Sequence, residues 1–403
     1  MEINENLPKN WTIKKMPDVV TWGSGGTPKA TESNYYENGT IPWLIIGDLN
    51  DGVVTKSQTK ITELGLNNSS AKMVRQGTLL IAMYGSIGKL GITGIDCCTN
   101  QAIAFAKELH GVSTKYMFYY LKMIRPKLIS MGKGGTQKNI SQSVLKSLDV
   151  IVPPMDIQDK IVTRIEELFS ELDKGAETLQ TIKQQLAVYR QAVLKAAFEG
   201  INSTKYMVKD VCKDIKVGIV IKPSQYYTDA QQGIKAFRSA NVKEFHINNS
   251  DWVYLSQAGH SINSRSVVHT DDILIVRSGY PGTSCVVTEQ FDGCNAIDIL
   301  IAVPNKEIVL PQFLCAYTNS PFGKAFVSEK KRGVAQKHFN VSGYSKMMIP
   351  VPDLNKQREI VQEVESRLSV CDSIEQTVDT ALAQADAMRQ SILKKAFEGG
   401  FSE

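Results

Sequence analysis

The chain of 403 residues is 42% apolar and 22% charged, a composition typical of globular proteins that excludes global disorder and a collagen-like repeat. Its length is sufficient for two domains of roughly 150 residues each, and its net charge of +5 is too small to identify a partner by itself. The seven cysteines include no CxxC pair, which favours neither a disulfide framework nor a zinc module. Without a leader-like N-terminus or a run of about 20 apolar residues, the sequence predicts a cytoplasmic protein.

The first half of the chain predicts a domain of short strands with one helix. Its predicted elements are, in order, an amphipathic stretch at 11–15, a Gly-rich loop at 23–28, strands at 41–46, 78–82 and 101–107, and a helix at 115–129. The run at 78–82 is Thr-Leu-Leu-Ile-Ala, which indicates a buried strand. The phrase Gly-Ser-Ile-Gly at 85–88 predicts the turn that closes it.

The second half repeats this order of elements. A buried strand recurs at 272–276 and its glycine turn at 279–282, so both align with the first half at an offset of 194 without a gap. The two halves also end in nearly the same ten residues, at 191–200 and 390–399, an offset of 199. An offset of this length indicates two copies of a domain-sized unit rather than a solenoid repeat.

Proline-containing breaks divide each copy into a globular domain and a long helix. Val-Pro-Pro at 152–154 and Val-Pro-Asp at 351–353 end the strand-rich pattern, and helical periodicity follows each break. The predicted divisions are a first globular domain at 1–153, a central helix at 154–200, a second globular domain at 201–352 and a C-terminal helix at 353–403. The predicted fold class is therefore α+β, with two duplicated domains, each followed by a long helix.

Both helices carry the alternating steps of three and four residues that are typical of a coiled-coil seam. The predicted seam of the first helix consists of Ile161, Ile165, Leu168, Leu172, Leu179, Ile182, Leu186 and Val193. The predicted seam of the second helix consists of Ile360, Val364, Ile374, Val378, Ala381, Ala385, Met388 and Ile392. Because the second seam has smaller side chains, we expect the two helices of one chain to pair, as an antiparallel coiled coil with the two domains at opposite ends. The alternatives are that each helix packs on its own domain or pairs between chains.

No catalytic or metal-binding motif is evident in the sequence. The glycine phrases lack the Gly-Lys-Ser/Thr ending of a phosphate-binding loop. The five histidines form no HExxH, and none recurs in both copies. No Gly-x-Ser-x-Gly elbow is present, and the Val-Pro-Pro-Met phrase at 152–155 lacks the polar and aromatic ends of the amino-methyltransferase motif. The sequence therefore predicts a non-catalytic chain that binds no metal or cofactor itself, and it favours a recognition or assembly role.

Positive charge is concentrated at equivalent places in both copies. Residues 111–148 contain seven bases and no acid, and residues 311–349 contain six bases and one acid. A solvated basic face explains one such run, but two equivalent runs favour a surface that faces phosphates.

Two loops in each copy combine phosphate-binding and base-reading side chains. The predicted DNA-binding residues are Tyr84, Ser86, Lys89, Lys133, Thr136, Gln137 and Lys138 in the first copy, and Arg277, Tyr280, Lys330, Lys331, Arg332, Gln336 and Lys337 in the second. Glutamine can pair with adenine and Arg277 with guanine. The alternatives are a structural turn whose glutamine caps a backbone group and, for the difference between Arg277 and Met83, neutral drift.

The order of these motifs resembles the DNA-specificity subunit of type I restriction-modification systems over essentially the whole chain. The resemblance is carried by Gly-Gly-Thr-Pro at 25–28, Ile-Pro-Trp at 41–43, Gly-Ser-Ile-Gly at 85–88, Gly-Gly-Thr-Gln-Lys-Asn-Ile at 134–140, Val-Pro-Pro at 152–154 with Gln158, and the helix ending in Phe-Glu-Gly at 198–200. The second copy departs from this pattern at its start, because Lys-Val-Gly-Ile at 216–219 replaces the Gly-Gly-Thr-Pro phrase.

The resemblance implies two target-recognition domains, each of which reads one half of a bipartite double-stranded DNA site, and a helical spacer between them. It also implies two modification (methyltransferase) subunits as partners, with restriction subunits joined through them. S-adenosylmethionine, ATP and Mg are then expected on the partners only, and the assembled complex methylates adenine and cleaves DNA. The alternatives are a DNA methyltransferase or nuclease with an unrecognised site, and a coiled-coil scaffold without DNA contact.

Overall fold

The computed structural model describes residues 7–134, 138–332 and 339–401, and it divides into two compact units. Unit 1 comprises residues 1–179 and 380–403, and unit 2 comprises residues 180–379. Each unit contains sheets and helices, which confirms the predicted α+β class. Within the described residues, no helix is both long and apolar enough to cross a bilayer.

Unit 1 contains three sheets and short helices before its first long helix. Its strands are β1 (Thr12–Lys15), β2 (Val20–Ser24), β3 (Ile41–Leu44), β4 (Val53–Val54), β5 (Lys60–Ile61), β6 (Met73–Val74), β7 (Leu79–Ala82), β8 (Leu90–Thr93), β9 (Cys97–Thr99), β10 (Ile103–Leu109) and β11 (Asp149–Val152). Its helices are α1 (Met16–Val19), α2 (Glu63–Asn67), α3 (Thr114–Ser130), α4 (Gln142–Lys146) and the first part of α5 (Met155–Phe198).

Unit 2 repeats this arrangement. Its strands are β12 (Lys205–Met207), β13 (Cys212–Val217), β14 (Tyr227–Thr228), β15 (Ile234–Phe237), β16 (Val253–Leu255), β17 (Ile273–Val276), β18 (Ser284–Val286), β19 (Asn295–Ala296), β20 (Ile299–Pro304) and β21 (Met348–Pro350). Its helices are α6 (Val208–Val211), α7 (Gln257–Ile262), α8 (Pro311–Asn319), α9 (Pro321–Arg332), α10 (Val341–Ser345) and the first part of α11 (Leu354–Phe397).

The sheets of the two units share a central strand order and differ in the strands at their edges. The main sheet runs β2-β10-β7-β8-β4 in unit 1 and β13-β20-β17-β18 in unit 2. A second sheet runs β5-β3-β9-β6 in unit 1 and β14-β16-β15-β19 in unit 2, and a two-stranded ribbon, β1-β11 or β12-β21, completes each unit. The equivalent orders confirm the internal duplication that the sequence predicts.

The buried strand at the centre of each main sheet has both faces covered. In β7, Leu79 and Ile81 pack in the cluster that includes helix α3, while Leu80 and Ala82 pack in the cluster that includes β3 and β9. The strand β17 divides its four apolar residues between two clusters in the same alternating way. Alternation across two covered faces explains why these strands are apolar throughout.

The helices α5 and α11 pair antiparallel, as predicted. Within unit 2, Lys183 donates to Asp379 at 2.7 Å and Arg190 donates to Asp372 at 2.6 Å. Residue numbers therefore rise along α5 where they fall along α11, which means that the two helices run in opposite directions. Within unit 1, the end of α11 packs against the first part of α5, and Phe397 lies in the same hydrophobic cluster as Ile161 and Ile165.

The buried positions of α11 differ from its predicted seam at two places. Ile374 is 40% exposed and Met388 is 52% exposed, whereas Leu368, which was not predicted in the seam, is buried. Two consecutive four-residue steps, from Ile360 through Val364 to Leu368, move the buried line by one residue. Because an α-helix has 3.6 residues per turn, these four-residue steps keep the buried residues on one face of the helix. The strict alternation of three- and four-residue steps, from which the seam was predicted, does not describe this part of α11.

The remaining predicted seam positions are buried or half-buried. The buried members are Ile161, Ile165, Val193, Ile360, Val364 and Val378, and the half-buried members are Leu168, Leu172, Leu179, Ile182, Leu186, Ala381, Ala385 and Ile392.

A buried glutamine joins each globular domain to the start of its helix. Gln158 donates to the carbonyl oxygens of Gly111 and Pro153, both at 2.9 Å, and accepts from the Ser113 N–H at 2.9 Å. Gln357 makes the equivalent three hydrogen bonds in unit 2. Both glutamine side chains are fully buried, and their hydrogen bonds satisfy the buried amide groups. These bonds attach the start of each long helix to the domain that precedes it.

Candidate nucleic-acid interface

Loops from distant parts of the sequence meet at one edge of each main sheet. In unit 1 the strands β2 and β7 end at this edge and β10 begins there, because Ser24 lies opposite Ala104 and Ala82 lies opposite Ile103. The loops that follow β2 and β7 and the loop that precedes β10 are therefore neighbours. We define the loop edge of unit 1 as residues 24–29, 83–89, 100–102, 133–134 and 138–142.

Backbone hydrogen bonds join the two loops that the sequence predicts to contact DNA. The Gly85 N–H donates to the Lys138 carbonyl at 3.1 Å, and the Ile140 N–H donates to the Met83 carbonyl at 2.9 Å. Lys133 and Asn139 form a further antiparallel bridge, with N–H to carbonyl distances of 3.0 and 2.9 Å. The glycine turn and the basic loop are thus parts of one surface, although they are about 50 residues apart in the sequence.

Most of the predicted DNA-binding side chains of unit 1 that the structure describes point to solvent. Tyr84, Ser86, Lys133 and Lys138 are exposed, and Lys89 is half-buried. Gly85 has a φ of +65°, a conformation that L side chains adopt with strain, so glycine is suited to this turn. The predicted residues Thr136 and Gln137 lie outside the described residues.

The loop edge of unit 2 comprises residues 218–222, 277–282, 296–298 and 339–340. It is arranged like the loop edge of unit 1, because β13 and β17 end where β20 begins. Val217 lies opposite Leu300, and Val276 lies opposite Ile299. Phe339 takes the place of Ile140 beside the glycine turn. Its N–H donates to the Arg277 carbonyl at 3.1 Å, as the Ile140 N–H does to the Met83 carbonyl in unit 1.

Of the two predicted residues of unit 2 whose side chains the structure describes, Tyr280 is the more exposed, with 85% of its surface open to solvent. The predicted residues Lys330, Lys331 and Arg332 form the last turn of α9, and their side chains lie outside the described structure, as do Gln336 and Lys337 entirely.

In the structure, the side chain of Arg277 is bonded within the loop edge of unit 2. Its side chain is only 13% exposed, and its guanidinium pairs with Asp298 and donates to the Phe339 carbonyl at 3.1 Å. The guanidinium therefore holds three segments of the loop edge together instead of presenting its donors to a base. The aligned residue of unit 1, Met83, is also buried.

The basic segments are partly neutralised by ion pairs within each unit. Arg125 donates to both carboxylate oxygens of Asp51, and Lys324 pairs with Glu244 at the equivalent place in unit 2. Lys115 pairs with Glu166 at 2.9 Å. The clustering of bases in sequence therefore overstates the positive charge that either unit presents to a ligand.

Lys122 is also held inside the unit 1 structure. Its Nζ lies 5.7 Å from the ring centre of Phe118 and 5.6 Å from that of Phe169, and burial lowers the pKa of its amine. A cation between two aromatic rings stabilises the contact of α3 with α5. The bases that remain exposed at the loop edge of unit 1 are Lys29, Lys133 and Lys138.

Two exposed features of the loop edges were not predicted from the sequence. In unit 1 the Thr27 hydroxyl donates to the Gln101 amide oxygen, and both side chains are exposed. In unit 2 the corresponding loop carries exposed Val220 and Ile221. The sequence did show that the second copy departs from the Gly-Gly-Thr-Pro phrase. That departure alone does not reveal that Val220 and Ile221 face solvent.

Six of the seven cysteine side chains are buried. All seven are free, and burial together with the neighbouring Cys98 and Asp96 raises the pKa of Cys97 to about 12. Among the described residues, no three His, Cys, Asp or Glu side chains are grouped to hold a metal ion. The chemistry on the loop edges is that of hydroxyl, amide, ammonium and apolar groups, which suits binding to a polyanion with polar base edges.

The chain is similar to known proteins along nearly its whole length. Residues 8–184 match the family model of the type I restriction modification DNA specificity domain. The type I restriction enzyme EcoBI specificity subunit of Escherichia coli is 25% identical over 98% of this chain and 87% of its own length. The EcoKI specificity subunit of Escherichia coli strain K12 is 22% identical over 98% of this chain and 89% of its own length.

Solved structures share the fold. One chain, from a study described as "Structural basis underlying complex assembly and conformational transition of the type I R-M system", has a TM-score of 0.75 and 16% identity over 98% of this chain and 99% of its own. The HsdS subunit from Thermoanaerobacter tengcongensis has a TM-score of 0.52 and 16% identity, with 98% of both chains covered.

The matched segment is a DNA specificity domain of the type I restriction-modification class, and its fold recurs in unit 2. Along nearly its whole length, the chain is similar to specificity subunits of type I restriction-modification systems.

Proposed function

We propose that the loop edge of each unit reads one half of a bipartite double-stranded DNA site. The observation that carries this proposal is the meeting of the glycine turn and the basic loop at one edge of the main sheet of unit 1, together with the bond from Phe339, the first described residue after the basic loop of unit 2, to the turn at the same topological place. Two equivalent edges with different side chains suit two half-sites of different sequence. DNA recognition needs this combination of positive charge for phosphates and polar groups for bases.

In unit 1, Lys133 and Lys138 supply the phosphate contacts, while Tyr84 and Ser86 lie between them and the sheet and face the bases. Both lysines are exposed and flank a glycine-containing loop, through which a phosphate can approach the backbone closely. In unit 2, Tyr280 takes the position toward the bases, and Lys330, Lys331, Arg332 and Lys337 are proposed for the phosphates. Gln137 and Gln336 remain candidates for reading adenine.

The helices α5 and α11 scaffold the partner subunits. Their outward positions are mostly polar and exposed along both helices, which leaves a large surface for two modification subunits and, through them, restriction subunits. The specificity subunit itself performs no reaction in this proposal. S-adenosylmethionine, ATP and Mg belong to the partners, the assembled complex methylates adenine and cleaves DNA, and the complex works in the cytoplasm.

The test of this proposal is DNA binding by the reconstituted complex of the chain with its modification subunits. The double variant Lys133→Glu and Lys138→Glu should bind the target at least about tenfold more weakly, and its salt dependence should fall by about one unit of slope for each lysine that contacts a phosphate. The target itself comes from mapping the methylated adenines of the host genome.

Lys14→Glu is the matched control. Lys14 is an exposed lysine on β1, which precedes β2 and lies at the end of that strand away from the loop edge. Equal loss of DNA binding in the control and in the double variant, or no loss in either, would reject the assignment of this edge to DNA. A complex that fails to assemble with the double variant would instead assign these lysines to a protein contact.

A further inference from the structure

The loop after β13 exposes two adjacent aliphatic side chains. Val220 is 50% exposed and Ile221 is 77% exposed, and both belong to the loop edge of unit 2. At the equivalent position of unit 1, Thr27 makes a hydrogen bond with Gln101, and the next residue, Pro28, is buried. The two units therefore differ in chemistry at the same point of the same loop.

This loop is firmly attached to the sheet. The Gly218 N–H donates to the Ile299 carbonyl and the Ile219 N–H donates to the Ala296 carbonyl, each at 2.9 Å. The Asp298 N–H donates back to the Ile219 carbonyl at 3.0 Å. A Cβ atom at Gly218 would lie 2.2 Å from the Ala296 carbonyl oxygen, so only glycine permits this close approach.

The side of the loop beyond the aliphatic pair is also fixed. Lys222 has a left-handed backbone with φ of +43°, and Pro223 begins the short helical turn that follows. Because both ends are constrained, the loop holds Val220 and Ile221 in place at the sheet edge with at least half of each side chain exposed. A pre-organised loop loses little conformational entropy when it contacts a ligand.

The neighbours of the aliphatic pair belong to the surface that the proposed function assigns to DNA. Asp298, which bonds to Ile219, also pairs with Arg277, and Arg277 begins the turn that carries exposed Tyr280. The apolar group that a DNA base presents in the major groove is the 5-methyl of thymine, and aliphatic side chains are suited to contact it.

We propose that Val220 and Ile221 recognise thymine 5-methyl groups in the half-site read by unit 2. This inference rests on the proposed function and adds a mode of readout to it: unit 2 reads a methyl group by apolar contact, while Thr27 and Gln101 of unit 1 read the other half-site by hydrogen bonds. The residues concerned were not among those predicted from the sequence.

The experiment measures binding of the reconstituted complex to duplexes in which uracil replaces thymine. Uracil pairs with adenine but lacks the 5-methyl group. Replacement within the unit 2 half-site should weaken binding by the wild-type complex about fourfold for each methyl contacted, as expected for one buried methyl-sized group. The double variant Val220→Ala and Ile221→Ala should bind the thymine and uracil duplexes with nearly equal affinity.

Two controls isolate the aliphatic pair. Ile13→Ala removes an exposed isoleucine on β1, which lies away from the loop edge of unit 1, and should retain the full preference for thymine. Uracil in the unit 1 half-site should change the affinity of the double variant and of the wild type by the same factor.

The proposal is overturned if the wild-type complex binds both unit 2 duplexes equally, if that half-site contains no thymine, or if the double variant keeps the preference for thymine. A double variant that loses a modification subunit from the complex would show that the pair contacts protein instead. Failure of the wild-type complex to bind any mapped target would contradict the proposed function itself, which separates the two failures.

Discussion

Arg125 lies in the basic segment at 111–148, yet its charge is directed into unit 1 and not toward a ligand. Its Nη1 donates to Asp51 Oδ2 at 2.8 Å, its Nη2 donates to the other carboxylate oxygen, and both side chains are less than a third exposed. Burial raises the pKa of Asp51, but the guanidinium of Arg125 and the Leu90 N–H outweigh burial and lower this pKa overall. The pair thereby fixes α3 to the loop between the 3-10 turn at 46–48 and β4.

Asp51→Asn should lower the free energy of unfolding of unit 1 by about 2 kcal/mol at pH 7, the magnitude of a hydrogen-bonded charge pair. Because the folded pKa is depressed, the stabilisation is present above the unfolded-state pKa of about 4 and is lost as the pH falls through the folded value. The wild type should therefore lose stability on acidification, and the variant should lose less. Urea unfolding at several pH values, followed by tryptophan fluorescence, measures both effects, since three of the four tryptophans lie in unit 1.

Asp149→Asn is the control for this prediction. Asp149 pairs with Lys15, but the two side chains are 38% and 64% exposed, so the loss should stay below about 1 kcal/mol. Equal losses for the two variants would show that burial adds nothing to the Arg125 pair.

The partners of these charged residues could not be predicted from the sequence. Arg125 and Asp51 are 74 positions apart, and Arg277 meets Asp298 across the sheet edge. Charge clustering identified the basic segments, but the pairing of individual charges depends on strand register, which no local pattern contains. The exposed loop residues Tyr84 and Lys138 were predictable because glycine turns mark the ends of buried strands.

At the scale of helices, the paired α5 and α11 contain a duplicated ion pair. Arg190 donates to Asp372 at 2.6 Å in unit 2, and Arg389 pairs with Asp173 in unit 1. Both partners of one pair are displaced by 199 residues from those of the other, so each copy supplies one arginine and one aspartate. Since each arginine is about one-fifth exposed, its stem packs along the helix pair while its head reaches the partner helix.

Arg190→Asp combined with Arg389→Asp should lower the stability of the helix pair by about 1 to 2 kcal/mol, because each change places like charges where an attractive pair stood. Adding Asp173→Arg and Asp372→Arg should restore most of that loss by reversing both pairs. Thermal unfolding followed by circular dichroism at low salt measures the difference, which should shrink as salt screens the charges.

Arg164→Asp provides the comparison, because Arg164 pairs with Glu167 on its own helix and not with the partner helix. If its effect equals that of the double arginine variant, or if the fourfold variant is not restored, the ion pairs do not fix the register of the two helices.

The sequence predicted the existence and the antiparallel pairing of these helices correctly, because a five-heptad pattern is a strong signal. It placed Ile374 and Met388 in the seam wrongly, although both are apolar and correctly spaced for a heptad. The first turns of α11 pack on the globular part of unit 2 through Val361, Val364 and Leu368, and that packing sets the helix rotation. Tertiary contacts of this kind override a regular repeat.

At the scale of the whole chain, each compact unit is completed by the end of the other copy's helix. Phe397 is fully buried in unit 1, with ring centres 5.2 Å from Tyr116 and 5.3 Å from Tyr120. Phe198, from the equivalent position of the first copy, packs in unit 2 against Phe313 and Tyr317, each at 5.2 Å. The repeated Phe-Glu-Gly phrase therefore marks a core residue and not only a helix end.

Phe397→Ala should destabilise unit 1, although residue 397 belongs to the second copy in sequence. Removal of a buried phenylalanine costs about 3 to 5 kcal/mol, and the cost falls on the unit that contains the cavity. Hydrogen exchange should show lost protection in β7 and β10, with β17 and β20 unchanged. Phe198→Ala should give the reverse pattern. Met388→Ala, at an exposed position of α11, should change the protection of neither unit.

Lost protection in β17 and β20 after Phe397→Ala would mean that each copy folds with its own helix end. With the expected pattern, any exchange of recognition units between relatives must move residues 380–403 together with residues 1–179, since both segments form one core.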